Sequence, residues 1–101
     1  MKNLENARIL YHLALFEEMQ DQHFRARAYD KAARGIESCS IEIKDIYEDG
    51  VEALLEIEGI SKAISEKIEE LLKIGQLRLY EKRKNEFPIE IDGLTSLEGV
   101  G

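Results

Sequence analysis

Leu54-Leu55-Glu56-Ile57-Glu58-Gly59-Ile60-Ser61-Lys62-Ala63-Ile64-Ser65-Glu66-Lys67-Ile68-Glu69-Glu70-Leu71-Leu72 is the stretch on which the reading of this chain turns. Its second half sets Ile64, Ile68, Leu71 and Leu72 at helical spacing, and Gly75 ends the pattern, which predicts a helix over Lys62–Ile74. Ser61 is placed to cap that helix, because its hydroxyl can accept from a first-turn amide. Glu58-Gly59-Ile60-Ser61 interrupts the periodicity, and a glycine there permits a tight turn with φ > 0. Val51 to Glu56, after the turn signal Asp49-Gly50, leaves room only for a short helix. The stretch reads as short helix, tight turn, longer helix. Forty positions on, Leu94-Thr95-Ser96-Leu97-Glu98-Gly99-Val100-Gly101 repeats Leu54 to Ser61, with Leu, Glu and Gly identical and Ile57/Leu97 and Ile60/Val100 conservative. The repeat stops where its second helix would begin, so the chain reads as part of a longer protein.

Working outward, Leu4 to Met19 predicts a helix whose middle, Ile9 to Phe16, is apolar on more than one side, as if covered by two neighbours. Phe24 to Ser38 predicts another, with Tyr29, Ala32, Ala33 and Ile36 on one small-residue face suited to close packing. Leu77 to Glu86 predicts a last one, ending before Phe87-Pro88. Ile41-Glu42-Ile43 is too short to build a sheet. The expected fold is all-α, a bundle of four to five helices. Residues 1–87 would form the helical domain and residues 88–101 a linker with the start of the second repeat. Tyr11, Phe16 and Phe87 are expected in the core, His12 and His23 at packing or surface positions, and Cys39 as an inert buried thiol.

The chain has 101 residues, 44% hydrophobic and 35% charged, with one Pro and no Trp, which excludes collagen, low-complexity sequence and outright disorder. No uncharged apolar run approaches the roughly 20 residues of a membrane span. Met1 to Glu5 is too polar and acidic for a signal peptide. One cysteine gives neither an internal disulfide nor a cysteine zinc site, so the expected location is cytoplasmic. Two histidines do not make a histidine-rich metal centre. A net charge of −7, from 14 basic and 21 acidic residues, argues globally against nucleic acid and anionic membranes. The distribution is polarised, however. Arg25, Arg27, Lys31 and Arg34 cluster against one acid, Asp30, whereas Glu37 to Glu58 carries eight acids against Lys44. A positive face of Arg25, Arg27 and Lys31 beside the turn is expected, opposite an acidic face from Glu42 to Glu58.

The pattern hydrophobic-x-Gly-hydrophobic-Gly/Ser between a short and a longer helix resembles the helix-hairpin-helix motif. Such a turn leaves backbone N–H groups free at the next helix's N-terminus, where donors and the positive helix end suit a phosphate whatever the base. Gly59, Ile60, Ser61 and Lys62 are the candidate DNA-binding positions, with Gly99 and Gly101 in the second copy. Phe24-Arg25-Ala26-Arg27-Ala28-Tyr29-Asp30-Lys31-Ala32-Ala33, Ile57 through Leu72, and Gly75-Gln76-Leu77 together resemble the amino-terminal domain of family X DNA polymerases.

That resemblance implies a monomeric domain that packs its helices around the first hairpin and binds gapped, nicked or 5′-phosphate-ended DNA, not a membrane. Arg25 and Tyr29 match family DNA-contacting positions in type. The resemblance also implies a downstream polymerase domain with its Mg2+ in the parent chain. For this segment it implies no cofactor beyond Na+ or K+ at the carbonyls of Leu55, Ile57 and Ile60. No Asp triad for nucleotidyl transfer is assignable here, so this part of the chain is not expected to polymerise.

In lyase members a lysine in the Glu-Lys-Ile triplet attacks the sugar aldehyde left at an abasic site; the matching residue is Lys67. Lys67 borders the apolar stripe, where partial burial favours the free amine. By spacing alone it would be a solvated lysine pairing Glu66 or Glu70. Family lyases carry basic residues where this chain has Ala63 and Leu55, and a histidine where it has Phe24; Lys62 could replace one lost charge. The expected function is sequence-independent binding of the DNA backbone. The alternatives are a deoxyribose-phosphate lyase acting through a Lys67 Schiff base, and a non-catalytic protein-interaction module.

Overall fold

Six helices account for most of residues 2–86, the part of the chain that the computed structural model describes. They are α1 (Asn3–Met19), α2 (His23–Glu37), α3 (Ile43–Tyr47), α4 (Val51–Leu54), α5 (Lys62–Ile74) and α6 (Arg78–Glu86). No strand occurs among the described residues, and no described helix is long and apolar enough to cross a membrane. Phe87, Gly99, Gly101 and the expected linker and second repeat over 88–101 lie outside the described residues.

The three residues between α1 and α2 close an αα-hairpin. Asp21 takes the left-handed conformation (φ 61) that a short polar side chain tolerates, and the Gln22 amide donates to the Glu17 carbonyl at 2.8 Å. α1 is buried on two sides, as its all-round apolarity foretold. Leu10, Leu13, Ala14 and Phe16 join the Ala32, Ala33 and Ile36 face of α2 in one core, and α6 closes the other side. Tyr80 of α6 lies against His12 and Phe16, and its hydroxyl is 2.7 Å from His12 Nδ1. His12 is thus a buried packing residue with a polar partner.

α3 is the element that the sequence reading missed. Only five residues long, it shows no full amphipathic period. Its start is fixed from a distance: Asn3 Oδ1 accepts from the Ile43 amide (2.7 Å), Asn3 Nδ2 donates to the Ile41 carbonyl (2.9 Å), and Glu42 Oε1 accepts from the Asn3 amide (2.9 Å). Two helix N-termini are therefore satisfied by one exchange of side chains. The core expectations hold for Phe16 but need correction elsewhere. Tyr11 is half-buried because its hydroxyl must reach Glu37 Oε1 (2.7 Å). Cys39, packed on the Gly35 carbonyl (3.4 Å), is half-buried too, and burial pushes its thiol pKa up.

The contact that places the hairpin is backbone against backbone. A Cβ added to Gly35 in α2 would overlap the Glu58 carbonyl oxygen, and one added to Gly59 would sit 2.7 Å from the Lys31 carbonyl oxygen. The missing side chains let α2 and the turn approach as nothing larger could. Gly35→Ala is accordingly expected to lower stability by about 1–3 kcal/mol in urea denaturation, from overpacking. Helix propensity alone predicts a gain of about 1 kcal/mol. The sign of the change decides whether the close approach exists.

Candidate nucleic-acid interface

Between α4 and α5 the chain descends through consecutive tight turns. The amides of Leu55, Glu56 and Ile57 bond three residues back to Glu52, Ala53 and Leu54, and Ile60 closes onto the Ile57 carbonyl at 3.1 Å. Leu54, Ile57 and Ile60 are buried beneath these turns and anchor them to the core. Gly59 between them has φ 93, the left-handed conformation expected of it. Ser61 then takes an extended conformation, and its hydroxyl accepts from the Ile64 amide at 3.3 Å. The foreseen cap is present.

With Ile64 capped, three donors remain at this helix end. The amides of Ser61, Lys62 and Ala63 find no acceptor among the described residues, and all three residues are exposed. This is where a helix presents N–H groups and the positive end of its dipole to an anion. Gly75, left-handed at φ 86, ends α5 as the sequence indicated.

Among the candidate contacts, Arg27, Lys31, Gly59, Ile60 and Ser61 line one groove of about 730 Å³ between α2 and the hairpin, with Lys62 next in the chain. Arg25 does not line it. At about 100° per residue it sits roughly 200° around α2 from Arg27, and its guanidinium is 3.9 Å from Glu17 Oε1. That carboxylate is only 3% exposed, so Arg25 neutralises a buried charge at the junction with α1. Tyr29 is buried in the same region, and burial, reinforced by Glu17, pushes its phenol pKa up. The expected positive face therefore divides, with Arg27 and Lys31 beside the hairpin and Arg25, itself exposed, on the side of α2 that reaches Glu17.

The acidic face divides as well. Glu42 is half-buried and serves as a helix cap. Glu56, Glu58 and Asp49 border a second groove of about 680 Å³, across the turn, together with Lys31 and Arg34. The hairpin thus stands at a charge boundary.

Lys67 is half-buried on α5, between the buried Ile64, Ile68 and Leu71, as its spacing required. No carboxylate of a described residue comes within 4 Å of its ammonium, although its charge still acts on Glu70. Glu70 instead accepts from the Arg78 amide (2.8 Å) and from Arg78 Nε (3.3 Å). The backbone bond foremost, then the Arg78 guanidinium, holds its carboxyl below the usual range. Ala63 and Leu55 are exposed and bring no charge to this face.

Of the three carbonyls expected to hold a cation, that of Ile57 accepts the turn bond, while those of Leu55 and Ile60 receive no hydrogen bond from a described residue. Free carbonyl oxygens suit a hard cation such as Na+ or K+. The described residues hold no cluster of three or more His, Cys, Asp or Glu side chains fit for a metal. Gly35, absent from the sequence-based candidates, decides the site's shape. The signal was available in its position four residues after Lys31 on the small-residue face of α2.

A family model for the helix-hairpin-helix domain matches residues 1–77. No curated protein matches the chain. Gly59→Val is expected to cost about 2–5 kcal/mol, combining left-handed strain with overpacking against Lys31. Gly75→Ala, left-handed but with nothing within 4 Å, should cost only about 1–2 kcal/mol. Equal losses in parallel urea titrations would show that Gly59 is not packed on α2.

Proposed function

Because the chain belongs to the helix-hairpin-helix domain family, whose members generally bind DNA, we propose that it grips the DNA backbone without reading sequence, as the amino-terminal domain of a family X repair polymerase. One observation carries the reading: Ser61, the first of three consecutive residues with unbonded amides (Ser61, Lys62 and Ala63), lines the same groove as Arg27 and Lys31. A phosphate there meets oriented donors, the helix dipole and two cations, none of which distinguishes bases. The net charge of −7 does not prevent this, because the acids gather across the turn and Asp30, the acid in the groove, is already paired to Arg34 at 2.9 Å. Gapped, nicked and 5′-phosphate-ended DNA are the forms this reading favours. Na+ or K+ on the carbonyls of Leu55, Ile57 and Ile60 would brace the turn against phosphate repulsion. Polymerase chemistry and its Mg2+ would belong to a downstream domain of the parent chain.

The half-burial of Lys67 beside Ile64, Ile68 and Leu71 favours a second reading, in which it acts as a Schiff-base lyase. In such a step the free amine is the nucleophile. The uncharged Ala63 and Leu55 leave a 5′-phosphate fewer partners on this face, so turnover would be slow. Borohydride trapping on abasic-site DNA tests it. An adduct with wild type and none with Lys67→Ala establishes the lyase; equal adducts mean that another amine reacts.

For the main reading, titration with short duplex DNA should shift the Ile60, Ser61 and Lys62 amide resonances first. Joint Arg27→Glu and Lys31→Glu substitution should weaken binding equally on unrelated sequences and reduce the salt slope of log K by about two. Shifts confined to α1, or a changed sequence preference, would contradict it.

A further inference from the structure

Of the eight acids from Glu37 to Glu58, Glu37 and Glu42 are engaged within the fold, by Tyr11 and Asn3. Three others, Asp49, Glu56 and Glu58, stand exposed around the 680 Å³ groove on the far side of the turn, and none forms an ion pair with a described residue. Surface acids are ordinarily just solvated, so what lies between these three matters more than their number. Ile46 of α3, Ala53 of α4 and Ile57 of the turn form an apolar floor with the half-buried thiol of Cys39. Ser38 and Cys39 line the same groove where α2, 15 residues long, comes to its end. The negative end of that helix dipole therefore adds to the field of the carboxylates. On the opposite rim Arg34 is already paired to Asp30 at 2.9 Å, which leaves Lys31 as the one uncompensated cation of the lining. The groove is apolar below and negative above, and its volume falls within the range of ligand pockets.

We propose that this groove docks a basic segment of a partner protein, in which an apolar side chain stands between lysines or arginines. The apolar residue lies on Ile46, Ala53 and Ile57, and the flanking cations meet Asp49, Glu56 and Glu58. Charge complementarity selects this occupant. Duplex DNA and acidic peptides meet three carboxylates and a helix C-terminus, all repulsive. A metal ion finds no fitting cluster of ligands among the described side chains and has no use for an apolar floor. Lysine and arginine stems can themselves lie on apolar surface while their heads stay in water, so the basic residues contribute to both parts of the contact. The acidic segment thus becomes an interaction surface separate from the exposed amides beyond Gly59, and the two faces can be occupied at once.

The probe is an end-blocked Lys-Leu-Leu-Lys peptide, titrated into the 101-residue chain and followed by amide resonances. The largest shifts should fall at Cys39, Ala53 and Ile57, and the peptide should slow alkylation of Cys39, the chain's single cysteine, by iodoacetamide. Joint Glu56→Gln and Glu58→Gln substitution should weaken binding about two- to 30-fold, the span of two exposed ion pairs. Glu66→Gln with Glu81→Gln, which removes the same charge outside the groove, should leave it within twofold. A Lys-Gly-Gly-Lys peptide should bind about tenfold more weakly or worse, having nothing to lay on the floor. The replaced side chains are not buried, and thermal melts verify that both variants fold.

Equal losses in the two charge variants would reduce the effect to general attraction toward an acidic protein and overturn the site. So would equal affinity for the glycine peptide, or no binding at all. Groove resonances that move on dilution without peptide would show a second copy seated there instead. A Cys39 that resists alkylation in the free chain, with no peptide bound, would show the groove covered by the chain itself. Neither result would touch the DNA reading, whose amides and cations lie on the other side of the turn.

Discussion

Two glycines facing each other hold the site in place. Gly35 in α2 meets the carbonyl of Glu58, and Gly59 in the turn meets the carbonyl of Lys31, each where a Cβ would collide with main chain. Backbone atoms do not rotate away as side chains do, so the separation between α2 and the hairpin is set within a narrow range. That separation decides how far the first turn of α5 stands from Arg27 and Lys31. It therefore decides whether one phosphate can meet all three. A glycine inside α2 sacrifices some helix stability, and this sacrifice is what the geometry requires.

The rest of the bundle keeps that arrangement rigid. α1, buried against both α2 and α6, is the shared wall from which the small-residue face of α2 is held toward the turn. At its end Glu17 is almost wholly buried, with Arg25 as its compensating cation and Oε1 lacking a hydrogen bond. α2 thus sorts its basic residues by direction. One steadies a carboxylate within the fold, while those two and six positions later remain free for a ligand. A helix with Arg25 and Arg27 on the same side could not do both.

What the sequence disclosed follows from where its signals were local. Ser61 before an apolar stripe, Gly75 after it, and Gly59 between two short-range patterns each act through neighbours in the chain, so the hairpin and α5 could be read residue by residue. α3 could not, because its N-terminus is satisfied by Asn3, thirty-nine to forty positions away. Counting Arg25, Arg27 and Lys31 as one face failed for a related reason. Residues close along the chain are not close on a helix, whose period sends Arg25 the other way. The role of Gly35 depends on the opposing element, which periodicity within α2 does not contain.

The exchange between Asn3 and the Glu42–Ile43 segment bears on how the molecule opens. Helix ends usually fray alone, at little cost and without effect elsewhere. Here the first turn of α1 cannot peel away without exposing the Ile43 amide and the carboxylate of Glu42, since each end supplies the other's missing partner. The amino terminus and the acidic segment ahead of the hairpin therefore open as one cooperative unit. Trimming or tagging the chain at its start would be felt in amide protection more than forty residues downstream, at the approach to the turn.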